Sequence, residues 1–325
     1  MTTTRPYAYT DLLPESFFAT ALHLDVRRGL GATQKSTRPV WFYDTDGSRI
    51  YEDITRTPEY YPTRTELQIL THFGPDIAAR ARADAVVELG AGSSAKASVL
   101  LAATRPGTYV PIDVSAAALH QNSREIAEAF PATKVHGVRA DFNTGLHLPE
   151  RTWPGERRLY AFFGSTLGNH RRPQRSEFLK MLRSSMAADD ALLLGMDLVK
   201  GEDELVAAYN DAAGHTAAFN LNLLSVLNRE LGADFVPANF EHQAVWSPTH
   251  QWIEMRLLSR RDQLVDLPAL GMTASFAQGE AWVTEISAKV TTDGLAIELA
   301  NADLRVEHMW TDPAKKFSLT LAVPR

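Results

Sequence analysis

Short apolar runs recur through the middle of the chain, near 85–89, 108–112, 134–139, 159–163 and 190–196. Their length and their β-branched and aromatic content predict strands buried on both faces. The stretches between them at 94–104, 115–129 and 174–187 predict helices. Strand–helix alternation with such short connections calls for a parallel sheet covered on both sides, an α/β doubly wound architecture. Ahead of this block Thr63 caps a predicted helix, with Glu66 three residues on. Leu67, Leu70 and Phe73 form its stripe, and Gly74-Pro75 predicts its end. Residues 1–62 show no clear period and mix aromatics with turn residues, as in Tyr60-Tyr61-Pro62.

After Asp197 the pattern changes. Residues 202–232 predict helix throughout, from Leu205, Ala208, Tyr209 and Ala212 to Leu223, Val226, Leu227 and Leu231. Ile253-Glu254-Met255-Arg256-Leu257 alternates and predicts a half-exposed strand. Leu304–Trp310 and Phe317–Val323 alternate as well, and predict an antiparallel hairpin that closes the sheet. With 325 residues the chain is long enough for two domains, or for one with a large insertion.

Composition removes several classes of function. The net charge of -6 offers no broad basic field for nucleic acid. The absence of cysteine excludes disulfides, thiolate metal sites and cysteine nucleophiles, and fits a cytoplasmic protein. Met1–Pro6 lacks an apolar signal core, and runs such as Ala191–Leu194 are too short to span a membrane. His136, His170 and His242 are scattered with no metal-ligand spacing, so no metal is expected. Nothing in the sequence bears on oligomeric state.

The candidate chemistry begins at Val86-Val87-Glu88-Leu89-Gly90-Ala91-Gly92-Ser93-Ser94. A strand runs into a glycine turn and then a capped helix, whose exposed N–H groups and positive end favour polar or anionic ligand atoms. Asp113 ends the next apolar run, at the neighbouring strand tip, placed to accept from a ribose. Alone, the turn also fits a dinucleotide pattern or a purely structural bend. Two features favour S-adenosylmethionine over a nicotinamide. Glu88 precedes the first glycine by two residues, and Asp141-Phe142 follows the third strand, where an acid and an aromatic suit adenine. That pair standing alone is more often a strand-ending turn. A parallel sheet finished by an antiparallel pair is also a common methyltransferase layout, although mixed sheets occur elsewhere. Asn169, in Gly164-Ser165-Thr166-Leu167-Gly168-Asn169, either binds a carboxylate or closes an Asx-turn, and its spacing favours the turn. Glu285 and Ser287 share a face if extended and separate if helical. On one face, a carboxylate and a hydroxyl suit the two nitrogens of an imidazole. A solvated surface pair is the commoner fate.

Taken together, these residues resemble the ergothioneine-pathway L-histidine Nα-methyltransferase family. The resemblance runs through Lys35-Ser36, Trp41-Phe42-Tyr43-Asp44, Thr57–Glu66, Val87–Gly92 and Gly164–Asn169. It continues through Asp197–Lys200, Tyr209-Asn210-Asp211, Ala217–Asn220 and Trp310-Thr311-Asp312-Pro313, in order over nearly the whole chain. Small departures occur around Arg139-Ala140 and Leu221. The resemblance implies a methyltransferase domain over 64–198 plus 288–325, and an α+β substrate-capping domain over 1–63 plus 199–287. It implies S-adenosylmethionine contacts at Tyr43, Gly90, Lys96, Asp113, Asp141 and Phe142. The substrate L-histidine would meet Asn169 and Tyr209 through its carboxylate and Glu285 and Ser287 through its ring. Tyr60 and Met255 would line the pocket, and Tyr43 would also touch substrate. Three methylations to hercynine are implied, with no residue marked as a dedicated base. The residues alone leave open a methyltransferase of another aromatic amino acid, a nicotinamide oxidoreductase, and a non-catalytic nucleoside-binding sensor.

Overall fold

A computed structural model describes residues 7–146 and 148–325. The elements in chain order begin with β1 (Ala8–Asp11), α1 (Phe17–Leu30), α2 (Thr45–Arg56), α3 (Pro62–Ala81) and β2 (Ala85–Leu89). There follow α4 (Ser94–Thr104), β3 (Thr108–Asp113), α5 (Ala116–Ala129), β4 (Lys134–Arg139), β5 (Arg158–Phe162), α6 (Arg172–Ser184) and β6 (Ala191–Asp197). Then come α7 (Glu202–Ala208), α8 (His215–Leu231), β7 (Phe240–Ser247), β8 (Trp252–Ser259), β9 (Gln263–Leu267), β10 (Met272–Phe276) and β11 (Ala281–Ala288). The chain closes with α9 (Thr292–Ala300), β12 (Leu304–Thr311) and β13 (Phe317–Pro324). It divides into two compact units. One comprises the described residues up to Leu13, Pro62–Leu198 and Val290–Arg325; the other comprises Pro14–Tyr61 and Val199–Lys289.

The first unit is built on an eight-stranded sheet, in the order β1-β4-β3-β2-β5-β6-β13-β12. The first six of these are parallel, whereas β13 runs antiparallel to both β6 and β12. This is the doubly wound, methyltransferase-type α/β sheet that the alternation predicts. The central strands β2, β5 and β6 are buried at every step because both faces are covered. Val87, Leu89, Tyr160 and Phe162 enter the core on one side, and Val86, Leu159 and Ala161 enter the core on the other. The C-terminal hairpin joins the sheet as expected, through Leu319↔Gly195 and Leu321↔Leu193. The N-terminal strand β1, in the 1–63 segment that the resemblance assigns to the other domain, pairs with β4 through Ala8↔His136.

The predicted stop at Gly74-Pro75 is not where that helix ends. Helix α3 runs on to Ala81 with Pro75 inside it. An internal proline removes one helical hydrogen bond and costs about 3 kcal/mol. The buried stripe Leu70, Gly74, Ile77 and Ala81 offsets this by continuing across the proline at helical spacing. Gly74 lies close to α4, where a Cβ on it would come 3.1 Å from the Ala103 Cβ, a tight contact.

The second unit packs helices against a three-stranded antiparallel sheet, ordered β11-β8-β7, with β9-β10 as a separate hairpin. Its core includes Phe42, Phe219, Leu223, Leu227, Phe276 and Trp282. The helix expected over 202–232 is broken, because Tyr209–Gly214 turns between α7 and α8. Gly214 takes φ +79°, and Asp211 caps the restart by accepting from the His215 N–H at 3.0 Å and the Thr216 N–H at 2.7 Å. Strand β11 carries a bulge. Val283 faces Arg256 and Glu285 faces Met255, which leaves Thr284 as the extra residue.

Candidate functional site

In the first unit the carboxyl ends of the parallel strands gather the expected cofactor residues, on the side where open α/β sheets take ligands. Gly90 adopts φ +76°, a conformation open to glycine at little cost. The Gly90 and Ala91 N–H groups both donate to the Ile112 carbonyl, at 2.9 and 3.1 Å. They strap the turn to β3, so they are not the free donors expected from the sequence. The turn instead offers close approach. A Cβ at Gly90 would lie 3.8 Å from the Phe142 ring, so the glycine and the aromatic are neighbours. Phe142 is itself held edge-on by Phe162 and Phe178. Asp113 lies at the β3 tip, where it accepts from the Ser115 N–H at 2.8 Å, and burial raises its pKa to about 6. Asp141 Oδ1 accepts from the Asn143 backbone and side chain at 3.0 and 2.9 Å. Asn143 in turn bonds His170 at 2.9 Å, linking this loop to the one that carries Asn169.

Asn169 ends a short 3-10 helix, Thr166–Asn169, that follows two left-handed residues, Gly164 at φ +74° and Ser165 at φ +57°. The Asx-turn favoured by spacing is not formed, because the Arg171 N–H donates to Gln174 instead. Sequence reasoning treated Glu66 only as a helix-capping partner. In the structure it is fully buried and accepts the Gly164 N–H at 3.0 and 2.9 Å on its two oxygens, while the Lys96 ammonium also donates to Oε2. A Cβ at Gly195 would fall 1.9 Å from Glu66 Oε1, so that position requires glycine. Lys96 thus braces the loop ahead of Asn169 through Glu66. The available signal was a carboxylate on the apolar stripe of α3. Glu88 is also buried and accepts from the Tyr109 hydroxyl; burial raises its pKa to about 7. A groove lined by Arg80, Arg82, Asp84 and Arg157 opens at the amino ends of β2 and β5, the side away from ligand chemistry in such sheets.

The remaining expected residues fall in the second unit. Glu285 faces Met255 across the β11–β8 ladder, so their side chains share one face. The segment is extended, as the imidazole reading requires. Burial raises the Glu285 carboxyl to about 7, and the nearby Lys289 ammonium pulls the other way. Ser287 is buried and accepts from the Tyr209 hydroxyl at 2.7 Å. Tyr209 packs edge-on against Tyr60, Tyr60 against Tyr51, and Tyr51 against Tyr43, whose ring is 44% exposed. Burial, with Tyr51 and Tyr209 beside it, holds the Tyr60 hydroxyl well above its ordinary range.

Support for this cluster comes from residues to which the sequence assigned no role in the site. Asn220 Nδ2 donates to His242 Nδ1 at 2.9 Å, so His242 offers its Nε2–H to the Tyr209 carbonyl, also at 2.9 Å. Burial lowers the His242 pKa, consistent with a neutral ring in this tautomer. Thr284, the bulged residue, donates to Asn220 Oδ1 at 2.7 Å and is 3.0 Å from the Met255 carbonyl. Among the described residues no group of acids and histidines has metal-ligand geometry, and no helix is long and apolar enough to cross a membrane.

A glycine turn beside an aromatic, an acid at the second strand tip and a sheet ending in an antiparallel hairpin define the class, an S-adenosylmethionine-dependent methyltransferase. The model of a family described as "Histidine-specific methyltransferase, SAM-dependent" matches residues 22–324. The chain belongs to that family. It is 48% identical over 309 residues to a histidine N-alpha-methyltransferase of Mycolicibacterium smegmatis, covering 94% of this chain and 95% of that one. A histidine N-alpha-methyltransferase of Mycobacterium tuberculosis is 44% identical, covering 93% and 94%. An ergothioneine biosynthesis protein 1 of Neurospora crassa is 27% identical over 69% of this chain and 28% of its own length.

Proposed function

We propose that this enzyme transfers methyl groups from S-adenosylmethionine to the α-amino nitrogen of L-histidine, three times, to give hercynine for ergothioneine biosynthesis. Family membership supports the reaction. The observation that carries the substrate is the second unit's carboxylate–hydroxyl pair, half-buried Glu285 and buried Ser287, on an extended strand beside Met255. We assign cofactor binding chiefly to residues of the first unit and ring recognition to residues of the second, and place the reaction on free metabolites in the cytoplasm.

The first unit's residues fit the cofactor. Asp113 is placed to accept from ribose hydroxyls. Phe142 offers a ring face, and Asp141 an acceptor oxygen for an adenine amino group. Gly90 admits the ligand close to backbone. When bound, S-adenosylmethionine supplies a methyl on cationic sulfur, so the protein needs to lend little to bond breaking. The residues then act by holding. Asn169 serves the amino-acid carboxylate with its amide donors, and Glu285 accepts a ring N–H. Ser287 serves the other ring nitrogen, with Met255 and Tyr60 as walls. Tyr209 is assigned to the carboxylate; its hydroxyl also bonds Ser287 at 2.7 Å, next to the ring end. Tyr43, exposed at 44%, is assigned to both cofactor and substrate. Alignment of an amine with a methyl donor contributes about 7–11 kcal/mol. No dedicated base is assigned; the amine reacts in its neutral form.

The test is a panel of the twenty amino acids incubated with S-adenosylmethionine and scored by mass. Histidine alone should gain methyl units. Methylation of another aromatic amino acid in preference to histidine, or of none, overturns the reading.

A further inference from the structure

Across the β11–β8 ladder Trp282 faces Leu257, Glu285 faces Met255 and Ser287 faces Ile253. Leu257, Met255 and Ile253 alternate along β8, so they lie on one face, in the core of the second unit. Trp282, Glu285 and Ser287 therefore share that face. A regular strand would put Trp282 and Glu285, three residues apart, on opposite faces. The extra residue Thr284 changes the count. The bulge is thus what lets Trp282 enter the core while Glu285 stays beside Met255. Thr284 is fully buried, and its hydroxyl donates to Oδ1 of Asn220, which is fully buried as well, at 2.7 Å. The Asn220 amide N–H groups go to His242 Nδ1 on β7 at 2.9 Å and to the Arg256 carbonyl on β8 at 3.0 Å. One side chain on α8 therefore bonds all three strands of this sheet. The Arg256 carbonyl fixes the amide's orientation, since a flipped amide would set oxygen against oxygen. With an N–H aimed at it, His242 Nδ1 carries no proton, and Nε2–H goes to the Tyr209 carbonyl at 2.9 Å.

We propose that Asn220 is a positioning residue for substrate specificity: by pinning the Thr284 bulge it aims Glu285 at the ring of the amino acid, and by fixing the His242 tautomer it anchors the turn that carries Tyr209. Neither Asn220 nor Thr284 needs to touch the ligand. Without the Thr284 hydroxyl, Asn220 Oδ1 loses its donor in a site closed to water. Nothing then holds the extra residue, and a slip toward regular pairing turns Glu285 away from the Met255 face. This rests on the ring-end assignment of Glu285 made above, and adds to it the device that aims the carboxylate.

The test is a double-mutant cycle, read by titration calorimetry with histidine and S-adenosylhomocysteine at pH 8, where the Glu285 carboxyl is ionised. Thr284→Val keeps the side chain's shape and removes its hydroxyl. It should weaken histidine binding about tenfold and leave S-adenosylhomocysteine binding unchanged, and Thr284→Ser should restore the affinity. In a Glu285→Ala background the same Thr284→Val change should cost less than about twofold, because the carboxylate it aims is gone. A merely structural role would give equal losses in both backgrounds, and that result overturns the inference, as does histidine binding to Thr284→Val within twofold of the unaltered enzyme. The second readout is nitrogen NMR of protein labelled in its histidine rings. His242 should show a bare Nδ1 and a protonated Nε2, and Asn220→Asp, which sets an acceptor against Nδ1, should put a proton there. A protonated Nδ1 in the unaltered enzyme, or an unchanged His242 in Asn220→Asp, also overturns it. If one of these variants does not fold, the other decides. A protein that binds no histidine removes the functional reading and the inference with it; one that binds histidine with additive losses removes the inference alone.

Discussion

Replacing Glu285 by alanine isolates the group on which ring recognition depends. The carboxyl is half-buried, and burial raises its pKa to about 7 from an ordinary 4.5. Its hydrogen bond to a ring N–H therefore competes with less solvent than a surface pair does. A bond to a charged partner contributes about 1.5–3 kcal/mol, or roughly 10- to 150-fold in Kd. Titration calorimetry with histidine, in the presence of S-adenosylhomocysteine, measures the loss directly. The cofactor product should bind Glu285→Ala as tightly as the unaltered enzyme, because Glu285 belongs to the amino-acid unit. The sign with pH also follows. At pH 8 the carboxyl is ionised and the two proteins differ most. Toward pH 6 it protonates, stops accepting as an anion, and the difference shrinks. Glu285→Gln keeps the shape and a neutral acceptor, so it should lie between the two with a flatter pH profile. Histidine binding to Glu285→Ala within twofold of the unaltered enzyme at pH 8, with an unchanged thermal melt, would refute the role.

Two further predictions concern the first unit. Glu88 is raised to about 7 by burial, so its ionisation disfavours the folded state. Its favourable contribution is complete below the ordinary 4.5 and is lost as pH rises through about 7. Glu88→Gln should therefore melt close to the unaltered enzyme at pH 4.5 and above it at pH 8, by up to about 3 kcal/mol in stability; a constant offset across that range contradicts this. Gly195→Ala places a Cβ 1.9 Å from Glu66 Oε1. Glu66 cannot swing aside without losing the Gly164 N–H and Lys96. The cost is about 3 kcal/mol or more, seen as a lower Tm and weaker cofactor binding, and an unchanged Tm would show that the carboxylate is not fixed.

Much of the fold was legible because its central strands are buried on both faces, which leaves an unbroken apolar run such as Ala191–Leu194. The rest was hidden for particular reasons. Gly74-Pro75 is a strong local stop signal, but the stripe that overrides it depends on packing against α4, which sequence spacing does not display. Strand β1 is four residues long and is recognisable only through its pairing with β4. The break at Tyr209–Gly214 is set by the Asp211 cap, in a stretch whose apolar spacing reads as continuous helix. At the site, Glu285 and Ser287 could be read from alternation once the segment was taken as extended. Lys289 stood in the same run without a sign that it turns inward. Asn220, His242 and Thr284 come from three separate elements and meet only in three dimensions, as do Glu66, Lys96 and Gly195.

The most direct test of the central claim follows methyl groups to their destination. The enzyme is given histidine and S-adenosylmethionine labelled with carbon-13 in the transferable methyl, and the product is read by NMR. The account predicts that every label resides on the α-nitrogen, passing through one and two methyls to three, with both ring nitrogens unmodified. Label on the imidazole, or histidine left unlabelled while the donor persists, would contradict it.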